Sequence, residues 1–176
     1  MNRLLKTLRN LLLIVFLGIL FLALTGLRLS PIQAHKASER GIHYGPSKIV
    51  KVFDYGSYQH LLCTYDRWVS CNTVNKNLFF LWSAGSQPIG FENDPDKAFV
   101  YSGVYSDKLM MVYGIVNDPN ITRMELRIGQ DQVLVQETLY DNLFYFSWKG
   151  SYNDRENMTL TGYNDQGDIW LDMQIP

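Results

Sequence analysis

The most prominent feature of the hydropathy pattern is a continuous apolar run from Leu11 to Leu27, broken only by two glycines and one threonine. Its 17 residues would form roughly 26 Å of helix at about 1.5 Å per residue. A hydrocarbon core of about 30 Å requires roughly 17 to 25 residues. The pattern therefore predicts one transmembrane segment at residues 11–29, which contacts the lipid bilayer through Leu11 to Leu27.

The same segment could instead be a secretory leader. Leaders have an apolar region of about 7 to 15 residues, so this run is slightly long for one. Cleavage would fall after Ala34, where the residue at the cut is small but the bulky Ile32 stands at the third position before it. We favour a retained single-pass anchor in the cell membrane, and keep cleavage after Ala34, which would secrete the remainder, as the alternative.

Basic residues flank the apolar run unequally. Arg3, Lys6 and Arg9 precede it with no acidic residue among them. Positively charged flanks stay on the cytoplasmic side of a membrane. Residues 1–10 are therefore expected to form a cytoplasmic tail, and everything beyond about Ser30 is expected to lie outside.

Short β-type runs follow the apolar segment. Residues 30–47 are polar, contain several prolines and glycines, and predict a tether, in which AHKASER could continue the helix for a turn or two. Residues 48–84 contain the runs KIVKVFDY, SYQHLLCTY, RWVSCNTV and NLFFLWSAG, separated by turn signals. This spacing predicts a membrane-proximal antiparallel β-meander, with the last run, apolar on both faces, in a central position.

A second group of strands follows the loop SQPIGFENDPDK, where we place a boundary. In ITRMELRI, apolar and charged residues alternate, as is typical of a strand with one buried face. IWLDMQI alternates in the same way, with Trp170 and Asp172 on its polar face. Six or seven such strands predict a β-sandwich over residues 97–176, for which immunoglobulin-like topology is one option. The predicted fold class is all-β after the N-terminal transmembrane helix.

Charge is distributed unevenly along the part beyond the apolar run. Residues 30–84 carry 6 basic and 3 acidic residues, whereas residues 85–176 carry 6 and 14. The first part could rest near anionic headgroups, although charges of this kind also serve simply to keep a surface solvated. Because no basic stripe occurs, we expect no binding to nucleic acid.

Two cysteines, Cys63 and Cys71, lie in the segment LLCTYDRWVSC. A hairpin with a three-residue loop would place them opposite each other, whereas a two-residue turn at Asp66-Arg67 would leave them one step out of register. Cross-strand Cβ atoms lie about 4.5–5.5 Å apart, which is somewhat wide for a disulfide bond. A disulfide is possible outside the cytoplasm, and two half-buried thiols are the alternative.

Two acidic loops, FENDPDK and YNDQGD, offer weak calcium candidates in Asp94, Asp96, Asp165 and Asp168. Calcium requires six to eight oxygen ligands, and neither loop has an EF-hand pattern. Loops rich in Asn, Asp and Gly are also ordinary turns. We therefore assign no metal, and no motif implies a cofactor.

No pattern typical of catalysis is evident. The serines lack a G-x-S-x-G context, and the glycines of GYNDQGDIW belong to a hairpin rather than to a phosphate-binding loop. His60 has no acidic neighbour at a useful spacing, and in a strand it would face away from Cys63. Trp170, with Asp172 beside it on the polar face, is the best candidate for an exposed binding surface.

A resemblance adds to this picture. The short basic start, the apolar helix and the sequence LRLSPIQAHKA resemble small membrane-anchored proteins of bacilli and related Gram-positive bacteria. VYGIVNDPNITRMEL and TGYNDQGDIW are similar to the immunoglobulin-like modules of such envelope proteins. The resemblance implies a location and a fold, and it brings no catalytic residue.

These observations lead to one functional hypothesis and two alternatives. We expect a membrane-tethered extracytoplasmic β-domain that binds a component of the cell envelope, with another protein as the favoured partner, without catalysis. One alternative is an envelope enzyme that acts on glycan or peptide. The other is an accessory subunit of a membrane sensor.

Overall fold

A computed structural model describes residues 3–86, 90–105, 110–150 and 157–175. Of the predicted loops, part of SQPIGFENDPDK and all of SYNDREN except Asn157 lie outside these residues. The elements are α1 (Arg3–Thr25), α2 (Pro31–Gly41), β1 (Lys48–Asp54), β2 (Tyr58–Tyr65), β3 (Trp68–Asn77), β4 (Leu81–Ala84), β5 (Phe91–Glu92), β6 (Phe99–Tyr105), β7 (Met110–Val116), β8 (Arg123–Ile128), β9 (Gln132–Gln136), β10 (Leu143–Trp148), β11 (Met158–Tyr163) and β12 (Ile169–Ile175).

Helix α1 is long and apolar enough to cross a membrane, a property that a signal sequence shares. It ends at Thr25 because Gly26 adopts a left-handed φ of 70°, which glycine tolerates without steric cost. The guanidinium of Arg28 then donates hydrogen bonds to the carbonyl oxygens of Leu27 at 2.9 Å and Leu22 at 3.4 Å. A cation in this position also interacts favourably with the negative end of the helix dipole.

Helix α2 occupies most of the range for which the sequence predicted a tether. Ser30 caps it, because its Oγ accepts the N–H of Gln33 at 3.2 Å, and Pro31 stands in the first turn, where proline is well tolerated. Residues 26–30 are not helical, so α2 is a separate helix rather than a continuation of α1. Its residues Ala34, His35 and Glu39 are buried, so this segment packs instead of remaining extended.

The first sheet has the order β1-β2-β3-β4, and β5 also pairs with β3. The central position expected for NLFFLWSAG is wrong, because β4 ends this order. Leu78, Phe79 and Phe80 form an exposed turn rather than strand, which shortens β4 to Leu81–Ala84.

The other two sheets have the orders β10-β7-β6 and β12-β11-β8-β9, with antiparallel pairing between the neighbours. One hydrophobic core includes residues of both sheets: Phe99, Met110, Val112, Val116, Ile121, Met124, Leu126, Ile128, Phe144, Phe146, Trp148, Met158, Leu160 and Ile175. The prediction of a mostly β chain with antiparallel sheets and one apolar N-terminal helix is confirmed.

The chain divides into two compact units. Unit 1 comprises Met1–Pro46, Phe53–His60 and Asn72–Gln87, and unit 2 comprises Ser47–Val52, Leu61–Cys71 and Pro88–Pro176. The sequence suggested a meander at 48–84 and a separate part at 97–176. The units differ from that division because β1, β2 and β3 each contribute residues to both, so no single cut in the chain separates them.

Candidate functional site

Trp170 is the extra residue of a β-bulge in unit 2. Strand β12 pairs with β11 through Leu171 opposite Gly162 and Ile169 opposite Tyr163, so Trp170 has no partner in the register. Bulges often redirect a side chain beside a functional site. The Trp170 side chain is 47% exposed, in agreement with the sequence, but the bulge also leaves Ile169 64% exposed, where simple alternation would bury it.

Asp118, in the loop that joins β7 to β8, fixes the indole of Trp170. Its Oδ2 accepts the Trp170 Nε1–H at 2.7 Å, and its Oδ1 accepts the backbone N–H of Asn120 at 2.9 Å and the Asn120 Nδ2–H at 2.8 Å. These bonds, first that from the Asn120 backbone and then that from Trp170, lower the pKa of Asp118 below its ordinary value. The Asp118 carboxylate is therefore ionised at neutral pH, and its hydrogen bonds fix its orientation.

The β7–β8 loop is itself held from two sides. Asn117 forms a reciprocal amide pair with Asn93, with N···O distances of 2.9 and 3.0 Å, and also donates to the carbonyls of Asp94 and Lys97. At its other end, the Thr122 N–H donates to the Tyr163 carbonyl at 2.9 Å. This bracing means that the loop presents Asp118 on a fixed backbone.

A core residue also anchors the loop. Ile121 is 3% exposed and belongs to the hydrophobic core. It packs on Gly162, where an added Cβ would lie only 3.0 Å from the Ile121 Cδ1 atom. Glycine at this position therefore allows the loop to approach β11 closely.

Trp170 borders a concavity of about 220 Å³ between the β7–β8 loop and the β11–β12 hairpin. Its lining is Pro119, Asn120, Thr122, Asn164, Asp165, Gln166 and Trp170. The hairpin is rigid, because the Asn164 Oδ1 accepts the Asp168 N–H at 2.8 Å and Gly167 turns the chain with a φ of 85°. The wall thus consists of amides, one carboxylate and one aromatic ring, which we call the Trp170 surface.

The remaining acidic residues predicted from sequence occupy different environments. Asp172 lies on β12, where its Oδ1 accepts the Thr161 hydroxyl at 2.6 Å, and it does not line the concavity. Asp94 pairs with Lys97 at 3.2 Å. Among the residues that the structure describes, no group of three or more His, Cys, Asp or Glu side chains is arranged to hold a metal ion.

Cys63 and Cys71 are fully buried in unit 2 and are not joined by a disulfide. Strand β2 ends at Tyr65 and β3 begins at Trp68, so a two-residue turn at Asp66-Arg67 separates them. For a turn of this length, the sequence predicted that the two cysteines lie one step out of register. Burial, followed by the proximity of Cys63, raises the pKa of Cys71 well above its ordinary value. Both thiols are therefore shielded from solvent, and the raised pKa of Cys71 keeps that thiol protonated, whereas nucleophilic catalysis needs an accessible thiolate.

The sequence interpretation missed one buried pair in unit 1. His35 Nε2 lies 3.2 Å from Glu39 Oε1, and both side chains are buried. The signals available were the Ser30-Pro31 start of a helix and the four-residue spacing that brings the pair together on one face. His60, correctly treated as a strand residue, is buried beside the rings of Tyr55 and Tyr58.

The Trp170 surface suits recognition. A partly exposed ring supplies apolar contact, while the amides of Asn120, Asn164 and Gln166 and the carboxylate of Asp165 supply hydrogen bonds at its edge. Rigid aromatic side chains surrounded by polar groups are characteristic of protein interaction sites. No protein-family model, no curated protein and no solved structure matches this chain.

Proposed function

We propose that this chain is a membrane-tethered, extracytoplasmic binding module without catalytic activity, and that its partner is another protein of the cell envelope. The observation that carries the proposal is the Trp170–Asp118 hydrogen bond of 2.7 Å at a β-bulge. The stability of the hydrophobic core does not require a half-exposed tryptophan that donates a hydrogen bond to a carboxylate. Such an arrangement instead lowers the entropic cost of binding through that side chain, because its orientation is already fixed.

An immunoglobulin-like sandwich is the fold that we propose for residues 97–176. When β6 to β12 are lettered A, B, C, C′, E, F and G, the observed strand orders become A-B-E and C′-C-F-G. These neighbours occur in immunoglobulin sandwiches, and a core contributed by both sheets supports the same fold. The B–C and F–G loops of such sandwiches cluster at one end and carry binding residues, and here they border the Trp170 surface.

The membrane location rests on α1 and on the basic residues near its start. An uncharged stretch follows Arg9, and the orientation rule for basic flanks then favours a cytoplasmic N terminus with the β-domain outside. Residues that follow α1 in the chain favour its retention in the mature protein. Arg28 exchanges two backbone hydrogen bonds of 2.8 Å with Trp82, and Ala34, at the alternative cut, is 2% exposed within α2.

Site-specific photocrosslinking in intact cells tests the binding proposal. A photoreactive amino acid replaces the exposed Gln166 at the edge of the Trp170 surface in the full chain, and the control places it at Val133, which is 42% exposed on β9. We expect a discrete protein adduct from position 166 that Asp118→Ala weakens, because the variant releases the Trp170 ring, and none from position 133. Equal adducts at both positions, or none at either, would refute the Trp170 surface as the binding site.

Glycan is the second candidate ligand, favoured by the ring beside amides and a carboxylate in the 220 Å³ concavity. Aromatic faces contact the apolar faces of sugars, while amides and carboxylates bond the hydroxyl groups. Titration of the purified full chain with cell-wall glycan fragments, monitored by tryptophan fluorescence, separates the two candidates. Saturable binding that Trp170→Ala abolishes, in the absence of protein adducts, would replace the protein partner with a glycan.

A further inference from the structure

The turn between β3 and β4 carries three consecutive apolar side chains on the surface. Leu78, Phe79 and Phe80 are 64%, 92% and 63% exposed. Single exposed apolar residues are common on soluble proteins, but contiguous ones mark contact with a protein or a membrane. We call these three residues the apolar turn.

Local folding does not account for these residue types. Leu78 and Phe79 have φ values of 41° and 58°, in the left-handed region that bulky L-residues rarely adopt. Hairpin turns of this kind favour asparagine and glycine, which reach the region at little cost. The sequence therefore places large apolar side chains where turn chemistry disfavours them, which points to a role outside the fold.

The stem below the turn is ordered. Asn77 pairs with Leu81 across the hairpin, and its Nδ2 donates to the Ser83 hydroxyl at 2.8 Å and to the Asn75 carbonyl at 3.2 Å. The apolar turn is consequently held at the tip of a braced hairpin, and it does not fold back into the core.

The same compact unit contains helix α1, and backbone hydrogen bonds connect its end to this hairpin. Arg28, three residues beyond α1, and Trp82, three residues from Phe79, exchange two N–H···O bonds of 2.8 Å each. An extended residue spans at most about 3.6 Å, and paired strands lie about 5 Å apart, so Phe79 lies within roughly 27 Å of the helix end. This upper limit on the distance is smaller than the thickness of one bilayer, so the apolar turn is within reach of the membrane surface at the end of α1.

The charge of unit 1 also favours contact with the membrane surface. Beyond α1, its described residues include four basic side chains, Arg28, Lys36, Arg40 and Lys76, and two acidic ones, Glu39 and Asp54. Glu39 is only 3% exposed, so the solvent-facing charge is predominantly positive. Basic residues next to a membrane span attract anionic headgroups, and aromatic residues concentrate at the interface between lipid and water.

We infer that the apolar turn inserts into the outer interface of the bilayer that α1 spans, as a second attachment point whose ligand is phospholipid at the boundary between headgroup and acyl chain. The inference rests on the proposed function, because it requires α1 to remain in the membrane. Two attachments hold unit 1 in one orientation against the lipid, whereas a single helix followed by five non-helical residues would let it pivot.

Depth-dependent fluorescence quenching tests the inference in the full chain. Phe79→Cys, Phe16→Cys in α1 and Val135→Cys on β9 are each labelled with an environment-sensitive fluorophore and reconstituted into vesicles of phosphatidylcholine and phosphatidylglycerol. Cys63 and Cys71 are fully buried, and wild type treated with the same fluorophore measures any background labelling of these two native cysteines. We expect nitroxide lipids to quench the labels at 16 and 79 several-fold more than the label at 135.

The outcomes separate the inference from the anchor. Quenching at 16 with no more at 79 than at 135 overturns the inference and leaves the anchor intact. Absence of quenching at 16 removes the anchor and the inference together. A label at 79 that is shielded from water but insensitive to nitroxide lipids identifies a protein contact, which also overturns the inference.

A second variant avoids altering the turn with the label itself. The fluorophore is placed at the exposed Asn75 in the native chain and in the double variant Phe79→Ser/Phe80→Ser. Since both phenylalanines are exposed, the fold should persist, as circular dichroism would verify. We expect quenching at 75 to fall to the level at 135 in the double variant, and unchanged quenching would contradict lipid insertion.

Discussion

The indole N–H of Trp170 donates a 2.7 Å hydrogen bond to the Oδ2 atom of Asp118, which lies 52 residues earlier in the chain. The bond joins the β7–β8 loop to strand β12 at the bulge. It restricts the rotation of a ring that is otherwise half-exposed. The loop and the strand therefore act as one binding element rather than two.

Asp118→Ala should release Trp170 without unfolding the domain. The variant removes the acceptor of three hydrogen bonds, all at the surface, so we expect stronger acrylamide quenching of tryptophan emission and little change in the midpoint of thermal unfolding. Asp131→Ala, at another exposed turn of unit 2, is the matched control. Equal quenching in both variants would mean that the bond does not order Trp170.

His60 should make stability depend on pH. Burial lowers its pKa from 6.5 to about 4 in the folded state, whereas the unfolded chain takes up the proton near 6.5. Between these values the unfolded state binds more protons, so the free energy of unfolding falls as the pH decreases. At about 1.4 kcal/mol per pKa unit, the loss approaches about 3 kcal/mol by pH 4.

Denaturant unfolding in detergent at a series of pH values measures this dependence. His60→Gln should flatten the slope between pH 6.5 and 4, because no imidazole remains to be protonated. A slope that persists in His60→Gln would assign the effect to other groups.

Gly114 should tolerate no side chain. A Cβ at this position of β7 would overlap the Val100 carbonyl oxygen and the Phe144 ring. Overpacking of this kind typically costs about 1–3 kcal/mol, so Gly114→Ala should lower the free energy of unfolding by that amount. Gly41→Ala, in α2 with open space around it, is the control and should not destabilise. A Gly114→Ala variant as stable as wild type would show that the sheet relaxes around the methyl group.

Cys63 and Cys71 should resist alkylation in the native protein. Both are buried, and the raised pKa of Cys71 suppresses its reactive thiolate. We expect a maleimide to modify neither thiol under native conditions and both in guanidinium chloride without reductant. A sample that is reduced before denaturation gives the total number of thiols that can react. If the unreduced protein is not labelled in guanidinium chloride, the two cysteines form a disulfide.

The sequence predicted the periodic elements well and the irregular ones poorly. Most of ITRMELRI forms β8, in which Met124, Leu126 and Ile128 are buried as the alternation predicted, although Glu125 on the opposite face is buried as well. The same reasoning identified Trp170 as exposed. NLFFLWSAG was misplaced because apolarity predicts burial, whereas Phe79 lies at a turn. The contact between Trp170 and Asp118 could not be predicted, since it depends on a bulge and on pairing between distant strands.

Helix α1 should be retained in the mature protein. The mature protein from the membrane fraction should still contain the residues before Ser30, because Arg28 pairs with Trp82 through two backbone hydrogen bonds and Ala34 is buried within α2. Cleavage after Ala34 would remove Arg28 and the Ser30 cap, and it would expose an edge of β4. Mass spectrometry of the N-terminal peptide distinguishes the two forms.

Ile32→Ala is the matched variant for this measurement. It places a small residue at the third position before the alternative cut and so supplies the feature that a leader requires. Release of the variant alone would demonstrate that the assay detects cleavage and that Ile32 protects the native chain. A wild-type protein that begins at His35 would instead be a released module, and because α1 would then be lost, lipid attachment through the apolar turn would lose its basis as well.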